Sequence, residues 1–214
     1  MIVMAGVPLL TILALAAGLW PWTSRYDARP TVRLLACLIL TSLIVVLLQV
    51  ALGLLGVLSP GPLLLLAWLT AIALGLTGNL GRVPHPPAAR SGRVPVLERL
   101  YARLGLAPPT WLGLALGALA VLAYLGLFAV GTLIPPYGWD TLTYHLTDIF
   151  HAAQTHSLAL FSYPGRNFYY PQVGEFHSLW AFLLAGGGDQ AWRVTGIGLL
   201  WLSLTAGVAV RAAC

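Results

Sequence analysis

From Leu34 to Gly81 the chain carries no charged side chain across 48 residues. As a single α-helix such a run would reach about 72 Å, more than twice the roughly 30 Å hydrocarbon thickness of a bilayer. It must therefore fold back on itself, and Ser59-Pro60-Gly61-Pro62 supplies the turn. The expectation is a hairpin of membrane helices over 34–58 and 62–79 with a very short connection. The composition agrees. Charged residues are 8% of the 214 and hydrophobic ones 59%, whereas a soluble domain carries about 25% charged residues to coat its surface. This excludes a soluble enzyme, a disordered tail and an ordinary nucleic-acid binder. All eleven basic residues are Arg, which excludes chemistry that needs a lysine. Cys37 and Cys214 lack a CxxC partner, so neither a disulfide framework nor a zinc knuckle is expected.

Three further spans complete an all-α membrane protein of about five transmembrane helices. Residues 2–20 are uncharged, and the first charge, Arg25, follows the run, so it reads as a retained helix and not a secretory signal. Pro8 is a candidate kink within it. The fourth span is about 110–134, trimmed by Pro108-Pro109 and Pro135-Pro136, and the fifth is about 190–210, ending at Arg211. The loops orient them. Arg25, Arg29, Arg33, Arg82, Arg90, Arg93, Arg99, Arg103 and Arg211 all fall on one side, with only Asp27 and Glu98 among the acids. By the positive-inside rule that side is cytoplasmic. The expected location is therefore the plasma (inner) membrane, with the N-terminus and loop 135–189 extracytoplasmic. The chain divides into four spans with a basic cytoplasmic loop at 80–109 (1–134), the outer loop (135–189), and the fifth span (190–214).

Smaller features fill in this plan. Leu97, Leu100, Tyr101 and Leu104 share one helical face, which suits a short helix lying at the cytoplasmic interface, although a plain solvated loop fits as well. Gly113 and Gly117 form a GxxxG in the fourth span. Gln49 reads as an interhelical hydrogen bonder.

The outer loop concentrates what the rest lacks. It holds Asp140, Asp148, Glu175 and Asp189, and also His145, His151, His156 and His177. At this length it is far above the usual helix connection, and such loops tend to carry function. Two interfacial helices are expected in it. From Asp140, an amphipathic pattern puts Leu142, Leu146, Ile149, Phe150 and Ala153 on one face, with Tyr144, His145, Asp148 and His151 mainly off it. Residues 172–185 form a second helix, too short to span, which either dips into the interface or packs on the bundle. Gly186-Gly187-Gly188 closes it.

The order of motifs then matters: a membrane helix, Trp139-Asp140, Tyr144-His145-Leu146, a Tyr163-Pro164 loop, Tyr170-Pro171 leading to Gly174-Glu175, and Arg193 opening the next span. This order resembles the first extracytoplasmic loop of GT-C membrane glycosyltransferases, the branch of protein mannosyltransferases and lipid A aminoarabinose transferases, over roughly 130–211. The resemblance implies a polyprenyl-phosphate sugar as donor, a glycan, lipid or protein acceptor, and transfer on the outer face. It implies that Asp140 is the catalytic carboxylate and that Arg193 matches the Arg that commonly opens the following helix. Many members carry a Lys before paired prolines; here Tyr170-Pro171-Gln172 stands there, and Arg166 becomes the candidate donor-phosphate contact. Members are far longer, so the resemblance implies an N-terminal portion of a larger enzyme.

The chemistry of these residue types is compatible with that role. Inverting transfer needs a base for the acceptor hydroxyl, and a carboxylate edged by Trp139 and Tyr144 at the membrane boundary is raised toward that task by partial desolvation. A departing lipid phosphate wants a planar guanidinium. Tyr144, His145, Asp148, Arg166, Glu175 and Arg193 are the candidate substrate-binding residues. Plainer roles stand beside several of these: Asp140 as a helix cap, Asp148 on a solvated face, Arg166 at lipid headgroups, Glu175 favoured by a helix dipole, Arg193 snorkelling to the interface. No metal ligands are assigned. The histidines lack HExxH spacing, and a divalent cation at the leaving phosphate is the one candidate cofactor. Membrane lipids are the surrounding partner, and nucleic acid is excluded. The alternative is a non-catalytic multi-pass protein, an assembly factor or transporter part.

Overall fold

The computed structural model describes residues 2–23, 30–80, 146–158, 173–188 and 190–213, together with scattered helical positions between 118 and 133. All regular structure among the described residues is helical. The order is α1 (Ile2–Thr23), α2 (Pro30–Leu54), α3 (Pro60–Asn79), α4 (Leu146–Thr155), α5 (Val173–Leu184), a 3₁₀ turn (Ala191–Val194) and α6 (Gly196–Ala213). Four stretches are long and apolar enough to cross a membrane: Ala5–Thr23, Pro30–Leu54, Pro60–Asn79 and Ala191–Ala212. They make this a multi-pass membrane protein by length and composition. Most of the span expected at 110–134 lies outside the described residues, as do its GxxxG and the 97–104 helix. Leu119, Leu122, Leu125, Val130 and Leu133 are helical and exposed.

The hairpin forms with shifted ends. α2 starts at Pro30, four residues before the uncharged run, because proline is at home in a helix's first turn. Arg33 is thereby inside the helix, its guanidinium 4.5 Å from the centroid of the Trp20 ring. α2 stops at Leu54 and not at residue 58. Gly56 adopts φ +70°, the Gly56 N–H donates to Gly53 O and the Val57 N–H donates to Leu52 O. This is the glycine closure that satisfies a helix's last carbonyls. The same closure ends α5, with Gly186 at φ +105° and bonds from Gly186 and Gly187 to Leu183 and Phe182. α3 opens with Ser59 extended and Pro60 at its first turn. α1 continues through Pro8 and Pro21 as one helix.

Contacts sort the elements into two ends. At one, Trp22 Nε1 donates to Leu74 O at 3.0 Å, and Arg33 meets Trp20. α6 runs toward this end, with Arg211 in its last turn. At the other, the α2–α3 turn meets the exit of α4, and Ala5 packs against Ala181, Val194 and Ile197. Trp201 Nε1 donates to Ser42 Oγ at 3.0 Å and ties α6 to α2 midway. Arg33 and Arg211 thus fall at one end, and Asp148, Glu175 and Arg193 at the other, the same partition that the loops give in the sequence.

Candidate functional site

α5 organises the second end. Twelve residues reach only about 18 Å, too short to cross, so its apolar side chains must be covered by protein. Leu179, Trp180, Ala181, Phe182, Leu183 and Leu184 are all buried. Of the two placements expected for this helix, packing on the bundle is the one observed. Its neighbours are α1, α2, α3, α4, α6 and the 3₁₀ turn. It crosses α6 at Gly198, where a Cβ would lie 2.6 Å from the carbonyl carbon of His177 and 2.8 Å from Ser178 N. Ser178 Oγ donates to Thr195 O at 3.3 Å, and Gln49 Nε2 donates to Phe176 O at 2.9 Å. Gln49 therefore bonds between helices, as its place in an apolar run suggests.

α4 lies over α5. Leu146, Ile149 and Ala152 are buried, and Phe150 meets Phe182 edge-on, with centroids 5.2 Å apart and planes at 70°. The apolar face is thus rotated slightly from the one expected: Ala152 joins it, and Phe150 and Ala153 lie at its margin. After α4 the chain docks on the hairpin turn. Leu58 N–H donates to His156 O at 2.9 Å, and Leu158 N–H donates to Gly53 O at 3.4 Å. His156 Nδ1 stands 3.1 Å from Leu58 O. His156 reaches this geometry at φ +54°, uncommon for a residue with a Cβ. Nothing in the local sequence signals it, because a glycine would ordinarily mark such a turn.

Three of the candidate site residues fall among the described ones. Asp148 is in the first turn of α4 and half-buried; Glu175 is in the first turn of α5 and half-buried. Arg193 sits in the 3₁₀ turn before α6, its guanidinium 4.6 Å from the centroid of the Trp192 ring, with Nε donating to Gln190 Oε1. Cation–π contact and hydrogen bond together fix the plane of the guanidinium. The elements bearing these residues adjoin, α4 on α5 and α5 on the 3₁₀ turn. Two acids and an oriented cation thus share one end of the bundle, beside helices whose outward faces are apolar. Asp140, Tyr144, His145 and Arg166 lie outside the described residues. The histidines divide by packing: His156 seats the hairpin turn, and His177 is buried against Gly198. Among the described residues no three His, Cys, Asp or Glu side chains gather where they could hold a metal ion.

An arrangement of this kind could bind an anion on Arg193 and move a proton on a carboxylate at the boundary between lipid and water. Comparison with family models, with curated proteins and with solved structures finds no match to this chain.

Proposed function

We propose that this chain is part of a polyprenyl-phosphate-sugar-dependent glycosyltransferase of GT-C type. The observation that carries the proposal is the gathering of Asp148, Glu175 and the Trp192-stacked Arg193 on adjoining elements at one end of an apolar bundle. That is the end to which the sequence assigns Asp140 and Arg166. In this reading Asp140 takes the proton of an acceptor hydroxyl as the acceptor oxygen attacks the anomeric carbon. The bond from that carbon to the lipid phosphate breaks, and its electron pair leaves with the phosphate. Arg166 and Arg193 meet the growing negative charge, and Tyr144, His145, Asp148 and Glu175 position donor and acceptor. The isoprenoid tail lies against the exposed apolar side chains of the spans. The site faces outward across the plasma (inner) membrane, because the Arg-rich segments belong to the opposite end.

The test is sugar transfer by membranes containing the full-length protein, given a radiolabelled polyprenyl-phosphate hexose or pentose. Transfer is expected, and Asp140→Asn should lower its rate at least about 10²-fold, the usual scale for a lost general base. Undiminished transfer by that variant would remove Asp140 from the chemistry.

A further inference from the structure

The turn that joins α2 to α3 leaves large apolar side chains uncovered by protein. Leu54, Leu55 and Val57 are 79%, 74% and 45% exposed, and no charged residue occurs between Leu34 and Gly81. These side chains continue a stripe on α2. Ile39, Leu43, Leu47 and Ala51 recur along one face of the helix and are also exposed. In a helix apolar enough to cross a membrane that stripe faces acyl chains, and it runs into the turn without a polar break. Length puts the turn at the edge of the hydrocarbon. From Arg33, the charged residue at the opposite end of α2, the helix rises about 32 Å to Leu54, against a hydrocarbon thickness of about 30 Å.

The backbone suits the same place. Acyl chains offer no partner to a peptide N–H, so the donors of a turn that touches them must be taken up by protein. The N–H groups of Leu55, Gly56, Val57 and Leu58 donate to the carbonyls of Ala51, Gly53, Leu52 and His156, and that of Leu63 to Ser59 O. A helix ordinarily leaves its first donors unsatisfied, but Pro60 and Pro62 have none to leave at the head of α3. Side chains reach the turn as well: His156 Nδ1 stands 3.1 Å from Leu58 O, and Ser59 Oγ donates to Val57 O at 3.4 Å. A turn in water needs none of this, because water supplies the partners. We propose that the α2–α3 turn is a membrane-docking surface. It lies at the boundary of acyl chains and headgroups, with Leu54, Leu55 and Val57 inserted among the acyl chains of the leaflet beside α4. The exit of α4 supplies, from protein, bonds that lipid cannot. This docking does not depend on the proposed glycosyl transfer.

The experiment is nitroxide spin labelling of the full chain in phosphatidylcholine–phosphatidylglycerol bilayers. Cys37→Ala and Cys214→Ser remove the native thiols. Leu55→Cys and Val57→Cys each place one label on the turn, and Leu43→Cys places a reference on the exposed stripe of α2. At positions 55 and 57, as at 43, the label should collide more often with oxygen, which concentrates among acyl chains, than with a water-soluble nickel chelate. A label at either turn position that meets the chelate more often than oxygen would put the turn in water and overturn the proposal. So would one shielded from both reagents, which would mean that protein covers the turn.

Discussion

The α1–α3 seam and the α5 end of the bundle are both buried, and they are held in different ways. Along α1 and α3 the backbones touch. A Cβ on Gly18 would fall 2.5 Å from Ala71 O, and one on Gly78 would fall 2.9 Å from Trp22 Cδ1. One side-chain hydrogen bond, Trp22 to Leu74 O, closes the far end. Around α5 the backbones approach at Gly198, and polar side chains reach across as well: Gln49 to Phe176, Ser178 to Thr195, His156 to Leu58. The difference follows from the solvent. In lipid, apolar side chains gain little by leaving one apolar environment for another, so helices associate through close packing or polar bonds. A helix that crosses the whole bilayer has the length to accumulate close contacts. A twelve-residue helix has not, and it must be tied at points.

Thermal unfolding in detergent micelles tests that division, and the largest effects belong to the glycines. Gly18→Ala and Gly198→Ala each place a methyl group against immovable backbone, and each should cost about 1–3 kcal/mol, seen as a lowered midpoint. Gly198→Ala tests whether the α5 end also needs one point of backbone contact; no change there would mean that the polar ties alone suffice. Gly53→Ala comes next, at about 1 kcal/mol. The Cβ there would meet the Leu158 side chain at 2.4 Å, the movable part of a neighbour, so Gly53→Ala combined with Leu158→Ala should recover most of the loss. Gln49→Leu should cost about 0.6 kcal/mol, the average for a hydrogen bond between membrane helices. If it costs as much as Gly18→Ala, the contrast between a packed seam and a tied helix fails. Thr41→Val should be the smallest change, within about 0.5 kcal/mol. Thr41 is fully buried, but its hydroxyl bonds within its own helix, to Cys37 O and with the Cys37 side chain.

Much of the fold is legible in the sequence because lipid imposes a simple rule: a long uncharged run must be a helix of bounded length. The turn at Ser59-Pro60, the α5 helix with its closing glycines, and the interhelical role of Gln49 all follow from such local signals. The end of α2 carries no such signal. Gly56 lies within an apolar stretch, and only its left-handed backbone shows that the helix stops before the prolines. The start of α2 is displaced because Pro30 suits a first helical turn, which draws Arg33 into the helix and onto an aromatic face of α1 that no hydropathy pattern reveals. The site is legible only as residue types in order. That order puts acids in loop 135–189 and Arg193 at the opening of the span after it, but the rotation of α4 that half-buries Asp148 depends on how Phe150 meets Phe182. The seating of His156 depends on the far-off α2–α3 turn, and no local pattern contains that information.

That seating also bears on the order of assembly. Leu58 and its partner His156 are 98 residues apart, so the α2–α3 hairpin leaves the ribosome long before the segment that caps its tip. At about 5–20 residues per second, the wait is about 5–20 s. Throughout that interval the N–H of Leu58 and the carbonyl of Gly53 must be solvated at the bilayer surface. The hairpin can therefore insert early, but its tip is completed only when the second half of the chain arrives. Assembly of this molecule therefore includes a clasp between the α2–α3 turn and a turn made 98 residues later.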